Sequence, residues 1–424
     1  MSKDIQQCIG ELKQSPLFAL SKCSNELAHT NFWAWLIEEC IIDGENKFVE
    51  LFIPGFYKDK HVFHKVTREE GNRDLTIYYD IEYGKKKEEK KVSCHIVENK
   101  IKTIPTKKQL IKYEDEIKDK MLTFFDSDSE QKRKVKKRFT GGTLTGIKNT
   151  LDNLPEQWTP LLYKEMAEKM DIIVLNAEKA KRNVPNKGII KQYIKDINNI
   201  STIITTEVDR IGNDFILDLN GFNIKEDIES IKLGDILLKQ IGCKYAQEIE
   251  RELKKHEKEL ETDWGYPSVE TAFNHKKVTI TVVYKDTIIY KEKGNDKEKE
   301  IGRLGVQIEG NEFRIYGGPF HSSETIKNGL RQVEQRFLEE KWFEPYDANE
   351  KEKKIREKPT VMNCGKDKDY CCGYVTSNYI HLYQYWRIDM WMMNQEHNKQ
   401  DLYEEIIEEL KTAKEIINSG FSFR

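Results

Sequence analysis

The chain has 424 residues, enough for one large domain or two ordinary ones. Hydrophobic residues make up 38% and aromatics 10%, so a sizeable core can form and global disorder is not expected. Charged residues reach 34%, yet the net charge is only −3, so any nucleic-acid footprint must be a local basic patch rather than a basic protein as a whole.

Residues 25–40 read as an amphipathic helix: His29, Trp33, Leu36 and Cys40 recur at helical spacing, and Ser24 or Asn25 can cap its start. Segments 61–68, 73–82 and 91–101 are rich in Val, Ile, Tyr and Thr and read as strands, the last two joined by a Lys-rich hairpin connection at 83–90. Pro105 breaks the chain, and 106–120 reads as a helix. The charged stretch 126–138 reads as loop or surface helix, 155–170 as helix, 171–176 as a short buried strand and 187–204 as helix. This order predicts an α/β layer, a mixed sheet covered by helices. Beyond 206 a polar helix at 225–262 is expected, then antiparallel strands at 277–291 and 303–317 with a turn at Gly310-Asn311. Helices at 322–341 and 398–417 flank an aromatic, cysteine-bearing segment at 370–393. The expected organisation is a 1–205 catalytic-type domain and a 206–424 α+β accessory domain for substrate binding, self-association or regulation.

Eight cysteines are scattered at 8, 23, 40, 94, 243, 364, 371 and 372. The chain opens without an apolar export segment, and no apolar run approaches the roughly 18 residues that span a bilayer. A soluble, cytoplasmic protein with reduced thiols and no membrane partner is expected. Cys364, Cys371, Cys372 and His381 lack the spacing of a zinc site. Tyr383, Tyr385, Trp386 and Trp391 are expected in core or dimer packing before base stacking.

The chemistry concentrates in Arg73-Asp74-Leu75 and Val97-Glu98-Asn99-Lys100. Side chains alternate along a strand, so Glu98 and Lys100 share a face, and the hairpin brings Asp74 alongside. Charges flanked by Ile, Val and Leu are costly to bury unless paired or metal-bound. Mg²⁺ prefers a few carboxylate oxygens plus water and phosphate. Asp74 and Glu98 are therefore candidate ligands, with the Asn99 backbone carbonyl, and Lys100 a candidate for holding the attacking water. A cross-strand salt bridge is the alternative for the same residues. Gln109 and Tyr113 share a helix face one turn apart, and Glu26 with His29 shares another, offering a third carboxylate. His29 itself reads as a satisfied core histidine.

The run Asn25-Glu-Leu-Ala-His-Thr-Asn-Phe-Trp-Ala-Trp-Leu36, then Arg73-Asp74, Val97-Glu-Asn-Lys-Ile101 and Gln109…Tyr113, resembles the PD-(D/E)XK nuclease superfamily. It is similar in particular to a bacterial branch that also carries Trp-x-Pro-Leu-x-Tyr and Gln-Tyr-Ile segments, matched here by Trp158–Tyr163 and Gln192–Ile194. The resemblance covers roughly 20–205; one departure is Arg73 in place of the proline that names the motif. It implies a restriction-endonuclease-like core, a mixed central sheet flanked by helices. Asp74, Glu98 and Lys100 become the catalytic set, supported by Gln109 and Glu26, with Asp74, Glu98, the Asn99 carbonyl and Glu26 as metal ligands. Nucleic-acid contacts are expected from Lys102, Lys107, Lys108 and Tyr113, and from Lys132, Arg133 and Lys134 in the densest basic cluster, taken to lie near the active site.

The expected activity is Mg²⁺- or Mn²⁺-dependent hydrolysis of DNA phosphodiester bonds, with defence against foreign DNA as an analogy. A homo-oligomer and an activating partner or effector are further expectations. The alternatives are a non-cleaving nuclease-fold module that binds nucleic acid or a partner protein, and a ribonuclease. Gly141–Gly146 lacks the Gly-Lys-Ser/Thr ending of a phosphate-binding loop, so no nucleotide site is expected there.

Overall fold

A computed structural model describes residues 4–21, 26–83, 90–100, 107–118, 120–126, 131–147, 154–212, 215–263, 265–274, 277–284, 289–291, 298–300, 303–321, 360–361, 374–375, 379–388 and 398–418. The chain divides into two compact units, one of Met1–Arg210 with Phe222–Gln240, the other of Ile211–Gly221 with Ile241–Arg424. The division therefore falls later than residue 205, and a short helical segment after it returns to the first unit.

The first unit is built on a six-stranded mixed sheet, ordered β1-β2-β3-β5-β4 with β6 also beside β5. Its strands are β1 (Phe63–Arg68), β2 (Leu75–Tyr83), β3 (Lys90–Asn99), β4 (Met121–Asp126), β5 (Gln131–Gly146) and β6 (Trp158–Leu162). β1, β2 and β3 form an antiparallel meander, and β3 runs parallel to β5. β3 is central, and Val92–Asn99 is buried throughout, as expected of a strand covered on both faces. On one face α4 (Lys107–Lys118) inserts Leu110, Tyr113 and Ile117 among Tyr78, Cys94, Ile96, Phe139, Leu144 and Trp158. On the other lie α3 (Glu26–Glu39) and α5 (Tyr163–Lys179), with α1 (Ile5–Gln14) and α6 (Lys187–Arg210) outside them.

Three expectations fail here. The described residues of 126–138 are strand: β4 ends at Asp126, and β5 begins at Gln131 and pairs antiparallel with β4 before it joins β3. Charge does not forbid a strand when neighbours supply its backbone bonds. The helix read at 155–170 starts only at Tyr163, after β6. The supposed strand 171–176 lies inside α5, whose buried positions Tyr163, Met166, Ala167, Met170, Val174 and Ala177 keep a helical spacing. Ile172 stays 55% exposed, which a buried strand would not allow.

The second unit holds an antiparallel sheet, ordered β13-β15-β12-β11-β8-β7 with β14 also beside β15, where β13 (Thr360–Val361) and β14 (Tyr374–Val375) are two-residue strands. Its longer members are β7 (Ser268–Asn274), β8 (Lys277–Tyr284), β11 (Arg303–Glu309), β12 (Glu312–His321) and β15 (Tyr379–Arg387), with the turn at Gly310-Asn311 between β11 and β12. The strand read at 277–291 ends at Tyr284; β9 (Ile289–Lys291) pairs instead with β10 (Glu298–Glu300) as a separate ribbon. The polar helix read at 225–262 is interrupted, as α7 (Lys225–Ser230), α8 (Gly234–Lys255) and α9 (Glu257–Leu260). A last helix, α10 (Lys399–Asn418), buries Leu402, Ile406, Leu410 and Ile417. The helix expected at 322–341 lies outside the described residues, as do Cys23, Cys364, Cys371 and Cys372. Among the described residues no helix is long and apolar enough to cross a membrane.

Candidate active site

The alternation of β3 sends Cys94, Ile96 and Glu98 toward α4, so Glu98 meets the helix at the carboxyl end of the central strand. Glu98 is 1% exposed. Its Oε1 accepts from Lys100 Nζ at 2.7 Å and from Gln109 Nε2 at 3.0 Å; the Tyr113 hydroxyl stands 3.4 Å away, and its one hydrogen has the Asn72 carbonyl at 2.8 Å as the nearer acceptor. Its Oε2 is buried with no hydrogen-bond partner. Asp74 lies beside it, its Oδ2 accepting the Asn99 backbone N–H at 2.7 Å. Asp74, Glu98, Lys100, Gln109 and Tyr113 are thus brought together.

Electrostatics follow from this crowding. Burial, and then the Asp74 charge, push the Glu98 carboxyl up to about 7 against the pull of Lys100. Burial also raises Asp74, opposed by the Asn99 N–H and Lys100. Burial disfavours the Lys100 ammonium, yet Glu98 and Asp74 outweigh it and its pKa ends above the ordinary lysine value. Two carboxylates that repel each other in a dry pocket, with an amine alongside, form a site that gains from a cation.

The donor set suits a hard ion. An orphaned carboxylate oxygen beside a second carboxylate matches Mg²⁺ or Mn²⁺, which bind through one or two carboxylates and otherwise through water and phosphate. Among the described residues no three His, Cys, Asp or Glu side chains cluster as a ligand group. Glu26 opens α3; its main-chain carbonyl accepts from Asn99 Nδ2 at 3.1 Å, and its charge reaches Asp74 and Lys100.

Comparison of the chain with protein-family models, curated proteins and solved structures gave no match. The site has to be judged on its own geometry.

Sequence reasoning did not find the scaffold behind Asn99. Its side chain accepts from Tyr163 Oη at 2.8 Å and from Thr145 Oγ1 at 3.1 Å, on the opposite side of β3 from Glu98. Nearby, Trp33 Nε1 donates to the Tyr193 hydroxyl at 2.8 Å, and that hydroxyl lies 2.8 Å from His29 Nδ1. Indole N–H only donates, so the Tyr193 oxygen accepts from Trp33 and the same hydroxyl is shared with the His29 ring. His29 is a satisfied core residue, packed 5.2 Å from the Tyr163 ring. The aromatic spacing of the helix 25–40 carried that signal.

The basic cluster does not lie at the site. Glu98 stands beside Leu144 in β5. Lys132, Arg133 and Lys134 precede Leu144 by ten residues or more, roughly 30 Å along the strand at about 3.3 Å per residue. Lys107 and Lys108 open α4 immediately before Gln109, which donates to Glu98, and Lys102 lies outside the described residues.

Proposed function

We propose that the first unit is a Mg²⁺- or Mn²⁺-dependent phosphodiesterase acting on DNA. The observation that carries this reading is the Glu98 carboxylate, fully buried, with one oxygen held by Lys100 and Gln109 and the other without a hydrogen-bond partner, next to Asp74. A bound divalent ion supplies Lewis-acid stabilisation of charge on the phosphate and acidifies its water. Asp74 and Glu98 hold that ion. Lys100 and Gln109 occupy Oε1 of Glu98, so Oε2 is the oxygen that would be free to ligate. Lys100 Nζ positions the attacking water and offsets negative charge as it develops on the phosphate. Lys102, Lys107 and Lys108, close in sequence to Lys100, are the basic residues for contact with the nucleic-acid backbone. DNA as substrate, and defence against foreign DNA, rest on the superfamily resemblance; RNA is an outcome of the test.

A second reading has its own observation: Lys100 already closes on Glu98 at 2.7 Å, as a purely structural ion pair would. On that reading the unit binds nucleic acid or a partner protein without cutting. The deciding experiment incubates purified protein with supercoiled, linear and single-stranded DNA and with RNA, in Mg²⁺, Mn²⁺ or EDTA. Metal-dependent loss of one substrate that vanishes in Glu98→Ala and Lys100→Ala is expected. A folded Glu98→Ala protein that cleaves like wild type would sink the assignment, and binding without cleavage would favour the second reading.

A further inference from the structure

Arg73 stands where the superfamily motif has proline, and it is 1% exposed. Its guanidinium lies under the loop that delivers Asp74. In that loop Glu69, Gly71 and Asn72 have φ of 53°, 65° and 62°, a left-handed run that non-glycine residues adopt only when surroundings enforce it. A Cβ on Gly71 would stand 3.0 Å from Arg73 Nη1, so loop and guanidinium are in direct contact. Nε donates to Thr76 Oγ1 at 3.4 Å; Nη1, buried without a hydrogen bond, is ion-paired 3.5 Å from Glu116 Oε2, and Nη2 is ion-paired 4.0 Å from Glu70 Oε1. The backbone N–H of Arg73 donates to the Glu70 carbonyl at 3.4 Å, a bond proline cannot make.

Glu70 is itself anchored. It accepts from Lys137 Nζ, from the Tyr78 hydroxyl at 2.7 Å and from Thr67 Oγ1 at 2.8 Å. Burial opposes its charge, but these bonds hold its carboxyl down to about 2. Glu116 belongs to α4, the helix whose Gln109 donates to Glu98 and whose Tyr113 donates to the Asn72 carbonyl at 2.8 Å. One helix therefore touches both the Glu98 carboxylate and the loop before Asp74.

We propose that Arg73 is a positioning residue for Asp74, its buried guanidinium pinning the left-handed loop between Glu70 on one side and Glu116 of α4 on the other. In this chain an ion network does for the loop what a proline ring does by covalent restraint. The consequence for catalysis rests on Asp74 being a metal ligand; the structural content does not.

The test uses Arg73→Met, Arg73→Lys and Glu116→Gln in the full chain. In EDTA, hydrogen exchange is read at the Asn99 amide, which donates to Asp74 Oδ2, against mid-sheet amides of β2 and β3. Arg73→Met is expected to lose Asn99 protection beyond the mid-sheet change, Arg73→Lys to lose part of it, and Glu116→Gln a smaller part. With substrate, Arg73→Met is expected to raise the Mg²⁺ concentration for half-maximal cleavage by about 10–100-fold while kcat at saturating metal largely persists. If Asn99 exchanges in proportion to the mid-sheet amides, Arg73 serves only the fold and the proposal is wrong. Should Arg73→Met not fold, unchanged Asn99 protection in Glu116→Gln overturns it equally. A wild type without metal-dependent cleavage would refute the nuclease reading, while the exchange data would still decide the role of Arg73.

Discussion

Replacing Glu98 with glutamine keeps its shape and removes its charge, which separates the energetic burden of the site from its purpose. The Glu98 carboxyl rises from 4.5 to about 7 on folding. At about 1.36 kcal/mol per pH unit this corresponds to roughly 3 kcal/mol, an order-of-magnitude figure because Asp74 titrates with it. The folded-state value lies above the unfolded one, so between pH 4.5 and about 7 the native protein binds more protons than the unfolded chain. Stability contributed by this group is therefore greatest below pH 4.5 and falls as pH rises through about 7. Lys100, raised above 10.5, loses its contribution only at higher pH, outside this window. Urea denaturation in EDTA across this range should show the wild type losing about 3 kcal/mol more than Glu98→Gln, the figure covering Glu98 together with Asp74, whose titration changes with it. Added Mg²⁺ at about 100 times its Kd should then return about 2.7 kcal/mol to the wild type at pH 8 and little to the variant. Parallel pH profiles would refute the burial argument; equal stabilisation of both proteins by Mg²⁺ would refute Glu98 as a ligand.

Tyr193→Phe removes the hydroxyl that bridges Trp33 Nε1 and His29 Nδ1. Two buried groups lose a partner, and a destabilisation of about 2–4 kcal/mol is expected from the denaturation midpoint. Gly142→Ala would place a Cβ 2.5 Å from Trp158 Cδ2 where β5 meets β6, and overpacking of about 1–3 kcal/mol should appear in the same assay. Neutralising Lys132, Arg133 and Lys134 together to glutamine should leave kcat/KM on a short oligonucleotide unchanged; a large fall would mean that substrate reaches the far end of β5.

What the sequence made legible is what two periodicities encode. The β1–β2–β3 meander and α3, α4 and α6 stand out because apolar residues recur at two or at three to four. The 171–176 segment misleads because Ile172, Ile173 and Val174 are β-branched, and a short apolar run cannot by itself distinguish strand from helix. The period over the whole of Tyr163–Lys179 decides the matter. β5 was hidden for the opposite reason: its first half is Lys and Arg, and pairing with β4 and β3 is a non-local property that composition does not record. Asp74, Glu98, Lys100, Gln109 and Tyr113 could be gathered from spacing alone, because strand and helix geometry fix which side chains share a face. The roles of Arg73, Lys137 and Tyr163 could not, since each depends on a partner many residues away.

The segments that read as a signature are joined in space around one strand end. Asn99 bonds through its side chain to the start of α3, to β5 and to the start of α5, and through its backbone to Asp74. Trp33 and His29 meet on Tyr193 of α6, and the His29 ring packs on Tyr163. Trp158 Nε1 donates to Glu114 of α4 at 2.9 Å, tying the helix that holds Glu98 to the strand before α5. Ordinary core packing would accept many aliphatic substitutes at these positions. Directional bonds to donor-only indoles and shared hydroxyls do not, and they restrict each helix to one rotation and one depth against the sheet. Holding two buried carboxylates next to one another requires that restriction, because a sheet end free to relax would let Asp74 and Glu98 move apart or admit water.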